Sequence, residues 1–241
     1  MDGPRAVILA GGKGMRLRPY TTVLPKPLMP VGDRPILDIV LRQLRHHGFA
    51  RATISTGYLA ELIEAFFGDG SRLRLPVDYV REDEPLGTAG ALALVDGLAE
   101  DFLVMNGDVL TDLDYRAVLA AHSASDAIAT IATHERRVQI ELGVLGFDGD
   151  STRVTDYFEK PVIDYEASMG VYCFSPRVLE FIEPGKRLDF PDLILRLLGA
   201  GEVVRAHRSA DFWLDIGRHD DYEQAQEEFE RLRDRIVPDG E

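Results

Sequence analysis

The chain has 241 residues, 45% of them hydrophobic and 28% charged, which is ordinary globular composition with length enough to bury roughly 70–75% of the unfolded surface. Its formal net charge of −14 at pH 7 rules out a bulk basic field, and with it broad binding to nucleic acid or to an anionic membrane. The single cysteine, Cys173, rules out an internal disulfide or a thiolate zinc site, and its apolar neighbours in GVYCFS predict a buried core thiol.

The opening MDGPRAVILAGG lacks the pattern of a secretory signal, and no window reaches the ~18 apolar residues of a membrane span, so a soluble, cytoplasmic protein is expected. AVILA (6–10) is continuously apolar rather than alternating, as a strand buried on both faces should be. Pro35, followed by Ile36, Ile39, Val40 and Leu44 at helical spacing, predicts a helix that Gly48 caps. ATIST (52–56) is the next strand, and Leu59, Leu62, Ile63 and Phe66 define a second helical face ending at Gly68. PVDYV (76–80) is a strand, GTAGALALV opens a helix, and DFLVMNGD (101–108) is a strand running into a turn. Strands alternating with helices predict a parallel sheet covered on both faces.

In the second half, IATIAT (128–133), GVLGF (143–147), VTDYFEK (154–160) and MGVYCFS (169–175) predict strands with short connections. Helices are expected at 176–182 and 190–198. A last helix carries Tyr222, Ala225, Phe229, Leu232 and Ile236 on one face and pairs Glu227 with Arg231 outside. Residues 238–241 are expected to fray. No repeat or flexible linker interrupts the chain, so 1–241 is read as a single α/β domain with a Rossmann-like, mixed but mainly parallel sheet.

Ligands of such sheets sit at the carboxyl ends of the strands, which makes the glycine loop after AVILA and the NGD turn after FLVM candidate walls of a site. Glycines there accept positive φ and let amide N–H groups face an anion. Alone, GGxG serves equally well as a tight turn, and it has neither the P-loop spacing nor GxGxxG. Two cations strengthen the anion reading. Arg16 is a planar fork donor suited to phosphate, and Lys26 lies between Pro25 and Pro27, which stiffen its backbone.

The stretch LAGGKGMRLRPYTTVLPKPLMPVGDRPIL resembles the signature of the sugar-1-phosphate nucleotidyltransferases, approximately GGxGxRLxPLTxxxPKPLxPV. Met15 departs from the commoner Thr or Ser of that signature. EPLGTAGAL (84–92) is similar to the family's base-binding loop, NGDVL (106–110) to its metal turn and FEKP (158–161) to its EKP element. SMGVYCFSP (168–176) and FWLDIGRHDDYEQA (212–225) follow in family order.

The resemblance implies a nucleotidyltransferase (GT-A-like) fold, with residues 1–125 as the nucleotide half, 126–241 as the sugar-phosphate half, and no C-terminal β-helix domain. It implies Mg²⁺-dependent transfer of a nucleoside monophosphate from an NTP to a sugar 1-phosphate, with release of pyrophosphate. Leu9, Ala10, Gly11, Gly12, Gly14, Glu82, Pro85, Gly87 and Thr88 would then hold the nucleotide. Arg16, Lys26 and Asp108 would be the catalytic residues, and Asp108 with Asp215 would hold the metal; read alone, Asp108 is a turn residue or helix cap. Asn106, Gly143, Glu159, Lys160, Gly170 and Asp215 would meet the sugar phosphate, with Lys160 on its phosphate.

Glu82 stands where pyrimidine-using relatives carry glutamine. A carboxylate only accepts hydrogen bonds, which suits the paired N1–H and N2 amino donors of guanine, so GTP and mannose 1-phosphate are the favoured pair. The same chemistry with dTTP or UTP and glucose, heptose or N-acetylmuramic acid 1-phosphate is the alternative, and Glu82 and Glu84 pointing to solvent is the bland one. A homodimer is an open option for assembly. A non-catalytic sugar-nucleotide sensor would be expected to lose an aspartate or a cation, and a glycosyltransferase has no use for GGxGxR with PKPL.

Overall fold

The structure is a computed structural model that describes residues 3–237. The first half runs β1 (Arg5–Leu9), β2 (Pro30–Val31), β3 (Arg34–Pro35), α1 (Ile36–His46), β4 (Arg51–Thr56), α2 (Ala60–Phe67), β5 (Val77–Arg81), α3 (Gly87–Gly90), β6 (Phe102–Asn106), β7 (Val109–Thr111) and α4 (Tyr115–Ser123). The second half runs β8 (Ala129–Gln139), β9 (Val144–Phe147), β10 (Val154–Phe158), β11 (Val162–Phe174), α5 (Phe190–Gly199), β12 (Val204–Ser209), β13 (Trp213–Asp215) and α6 (His219–Ile236). Seven strands form one sheet in the order β12-β8-β11-β6-β1-β4-β5. Only β11 runs antiparallel to its neighbours, so the sheet is mixed but mainly parallel, as the sequence implies.

The apolar run of β1 has a simple cause. The strand lies between β4 and β6, and alternate residues serve opposite layers. Ala6 and Ile8 join Leu37, Val40, Leu41, Tyr115 and Val118 on the α1/α4 side. Val7 joins Val104, Tyr172, Phe174, Phe190 and Leu193 on the α5 side. Cys173 is buried in the first of these layers, and loss of water pushes its thiol well above the usual range, as suits an inert core residue. A third cluster seats α6, through Ala225, Phe229 and Ile236, against Val31, Ile36, Leu110 and Leu214. Among the described residues no helix is long and apolar enough to cross a membrane.

Local differences from the sequence reading have physical causes. In α2 the inward residues are Ala60, Ile63 and Phe67, while Leu62 and Phe66 are exposed; the helix starts one residue after Leu59, which caps it at φ 55°. GTAGALALV forms only the four residues of α3 and a 3₁₀ turn, Ala91–Leu94, because Val95 returns to extended backbone. The predicted helix at 176–182 is a 3₁₀ stretch, Pro176–Phe181. On α6, Arg231 pairs with Glu228 rather than Glu227, one turn back at i−3. The expected fray of 238–241 lies outside the described residues.

The largest difference is the length of β8 and β11. Their ladder continues from Thr133↔Ser168 to Gln139↔Val162, well past the core, and the hairpin of β9 and β10 extends it into an arm. Leu142, Phe147, Tyr157 and Phe158 on this arm are each more than half exposed.

Candidate active site

Parallel register determines where the loops meet. Leu9 at the end of β1 is level with Ser55 of β4 on one side and Asn106 of β6 on the other. The loops that follow these strands therefore open at one edge of the sheet, around a cavity of about 380 Å³. The glycine loop contributes Leu9, Ala10, Gly11, Gly12 and Gly14; the loop after β5 contributes Glu82, Pro85, Gly87 and Thr88; the turn after β6 contributes Asn106 and Asp108. Arg16 and Lys26 complete this predicted set. Gly107, Asp189 and Gly217 also line the cavity without having been singled out from the sequence.

The loop backbone is held firmly. Ala10 N donates to Ser55 O at 2.8 Å, Gly107 N to Leu9 O at 2.9 Å, and the Thr21 hydroxyl to Gly14 O at 2.8 Å. Gly14 sits at φ 57°, and a Cβ there would meet the Thr21 methyl at 2.8 Å, so only glycine fits this bend. Lys26 opens a 3₁₀ turn, Lys26–Leu28, in which Leu28 N donates to Pro25 O at 2.8 Å and Met29 N to Lys26 O at 3.0 Å. That turn buries the lysine to 9% exposure and aims its Nζ at Asp108 Oδ2, with which it forms an ion pair.

The second aspartate arrives by strand pairing. β13 lies antiparallel to β7 with Asp215 opposite Val109, which sets it beside Asp108 although 107 positions (215 − 108) separate the two. Loss of water raises the Asp215 carboxyl above its usual range; Asp108 adds to the rise, and Lys26 and Arg16 oppose it. Asp108 Oδ1 is buried without a hydrogen-bond partner. A buried orphan carboxylate oxygen next to a second carboxylate is a donor set that fits Mg²⁺, which takes oxygen ligands and often binds through one or two carboxylates plus substrate phosphates. Among the described residues no group of three or more His, Cys, Asp or Glu could hold a metal alone, so this pair would need that completion.

The base loop is clamped to the start of α5. Thr88 N donates to Asp189 Oδ1 at 3.0 Å, Phe190 N donates to the Thr88 hydroxyl at 2.8 Å, and Ala89 N donates to Leu188 O at 2.9 Å. Glu82 is fixed too: its Oε1 accepts from the Ser55 hydroxyl and its Oε2 from Leu86 N, both at 2.9 Å. Glu84 is exposed and does not line the cavity.

Of the residues expected to meet the sugar phosphate, the structure brings Asn106 to the cavity and Gly170 against the Asn106 side chain. Asp215 lines an adjoining hollow that shares Arg16 and Gly217 with the cavity. Gly143, Glu159 and Lys160 are not among these; they sit together on the arm. Gly143 lies against the Tyr157 ring, the Tyr157 hydroxyl donates to Glu159 at 2.9 Å, and Lys160 pairs with Glu141 at 3.4 Å.

The nucleotidyl transferase family profile matches residues 5–231. The chain is 35% identical to the UTP–glucose-1-phosphate uridylyltransferase of Synechocystis, over 92% of this chain and 62% of the relative. It is 34% identical to the mannose-1-phosphate guanylyltransferase of Mycobacterium tuberculosis, over 90% of this chain and 62% of that one. It thus spans about three-fifths of the length of the curated relatives it matches. Among solved structures, HddC of Yersinia pseudotuberculosis complexed with GMP-PN superposes with a TM-score of 0.71 at 29% identity, covering 94% of this chain and 99% of that one.

Proposed function

This chain belongs to the nucleotidyl transferase family, in its sugar-1-phosphate branch, and we propose that it joins the nucleoside monophosphate of GTP to mannose 1-phosphate with release of pyrophosphate. The observation that carries the reading is the convergence, in one cavity, of a glycine loop, two cations and Asp108, with Asp215 set beside Asp108 from the adjoining hollow. A phosphate oxygen of the sugar 1-phosphate attacks the α-phosphorus, and the α–β bridging oxygen leaves with pyrophosphate. Two polyanions must be held together, so positioning and charge neutralisation do most of the catalysis. Loop amides and Arg16 grip the triphosphate, and Lys26, buried and oriented by Asp108, meets the charge that builds on the α-phosphate. Mg²⁺ held by Asp108 and Asp215 would supply further charge neutralisation at the phosphate oxygens.

Guanine is supported by Glu82. With Ser55 and Leu86 N each taking one lone-pair position, each carboxylate oxygen keeps another, two acceptors for the paired donors of guanine. The M. tuberculosis guanylyltransferase and the GMP-PN complex of HddC point the same way. The Synechocystis uridylyltransferase supports UTP with glucose 1-phosphate as the second reading.

The test is a pyrophosphate-release screen of nucleoside triphosphates against sugar 1-phosphates. GTP with mannose 1-phosphate is expected to lead, EDTA to abolish release and Mg²⁺ to restore it. Glu82→Gln is expected to shift preference toward UTP. Release with no pair at all would refute the activity, and a lead for UTP with glucose 1-phosphate would replace the first substrate pair with the second.

A further inference from the structure

The hollow next to the nucleotide cavity has a volume of about 260 Å³ and is bordered by three arginines, Arg16, Arg136 and Arg218. In a chain with a net charge of −14, none of the three forms an ion pair among the described residues. Their neighbours behave differently: Arg137 is held by Asp164 at 2.6 Å and Arg208 by Glu166 at 3.1 Å. Arg136 is steadied instead by Trp213, its guanidinium carbon 5.3 Å from the ring centroid. Trp213 is itself fixed, its Nε1–H donating to Met169 O at 2.9 Å, one residue before Gly170, which lies against Asn106.

The hollow therefore touches the reaction centre at two places, through Arg16 and Gly217 on the nucleotide side and through Asp215 beside Asp108. Asp221, the other carboxylate at its rim, is occupied in accepting from Gly217 N at 3.1 Å and Arg218 N at 2.7 Å. Three unpaired fork donors around a small hollow match the oxygens of a phosphate monoester. Lys160, which the family resemblance sets on the same phosphate, lies outside this hollow, on the arm in an exposed pair with Glu141 at 3.4 Å.

We propose that Arg136 and Arg218 cradle the phosphate of the acceptor sugar 1-phosphate, with Arg16, which lines both spaces, standing between it and the triphosphate, an inference that rests on the nucleotidyl-transfer reading above. Losing one bidentate charged contact of this kind weakens binding about ten- to a hundredfold.

The test measures KM for mannose 1-phosphate, glucose 1-phosphate and the triphosphate in Arg136→Gln, Arg218→Gln and Lys160→Gln, with Arg205→Gln as a distant control. Arg136→Gln and Arg218→Gln are expected to raise the sugar-phosphate KM about ten- to a hundredfold while leaving the triphosphate KM within about twofold and the melting temperature unchanged. Isothermal titration of inorganic phosphate should show affinity in the wild type that the double variant loses. An unchanged sugar-phosphate KM, a rise in triphosphate KM instead, or an effect carried by Lys160→Gln alone would overturn the proposal. A wild type that releases no pyrophosphate would refute the underlying activity, and the phosphate titration then still decides whether the hollow binds an anion.

Discussion

The nucleotide cavity and the β8–β11 arm are built on opposite principles. The cavity walls are strand ends set level by parallel register, with their loops tied by backbone hydrogen bonds and Lys26 buried against Asp108. The arm is a ladder with little packed on either face, and its large apolar side chains, Leu142 and Tyr157 among them, face solvent. A rigid cavity is pre-organised for charge, so changes there should cost activity. The arm can lose side chains without costing the fold, because burial rather than hydrogen bonding alone sets a residue's contribution to stability.

The largest expected effect is at the carboxylate–lysine pair. Asp108→Asn and Lys26→Met should each lower kcat/KM about 10²–10³-fold or more, with unchanged circular dichroism. Next comes the core under the cavity: Ile54→Ala, at a fully buried β4 position, should cost about 2–5 kcal/mol in urea unfolding. Thr88→Ala removes the hydroxyl that accepts from Phe190 N and should cost about 1 kcal/mol and raise the triphosphate KM, with Thr88→Ser restoring both. On the arm, Phe147→Ser should change stability by less than about 0.5 kcal/mol. A large destabilisation there would show that the arm is packed in solution.

Acid should act on the packed body through the buried His122 of α4. Burial lowers His122 from 6.5, outweighing the opposing charge of Asp101, so the folded state binds that proton less well than the unfolded state does. Its contribution is present in full above 6.5 and is lost as pH falls below that value through the folded-state pKa. Thermal melts of wild type and His122→Gln should converge on acidification, because the variant has no such proton to take up.

The cavity was legible in the sequence because each wall is a short contiguous piece with its own chemistry: glycines for close approach, prolines around Lys26, and an aspartate after an apolar strand. The pairing of Asp108 with Asp215 was legible only through family resemblance, since strand pairing across 107 positions (215 − 108) leaves no local trace. The two strands of the arm's tip, β9 and β10, were legible, but the extension of β8 was missed because THERRVQIEL is charged and lacks clean alternation and so looked like a loop. The outward turn of Leu62 and Phe66 was missed because spacing allowed two faces for α2 and only packing chose between them. Arg136 and Arg218 gave no signal at all, because an arginine without a carboxylate partner looks in sequence like any solvated one.

The most direct measurement follows the fate of label in triphosphate marked at either the α- or the γ-phosphate and incubated with the sugar 1-phosphate that supports turnover. Attack at the α-phosphorus within this cavity requires α-label in the sugar nucleotide and γ-label in pyrophosphate, with both transfers lost in Asp108→Asn. Label passing from the γ-position to the sugar, or transfer undiminished in that variant, would contradict it.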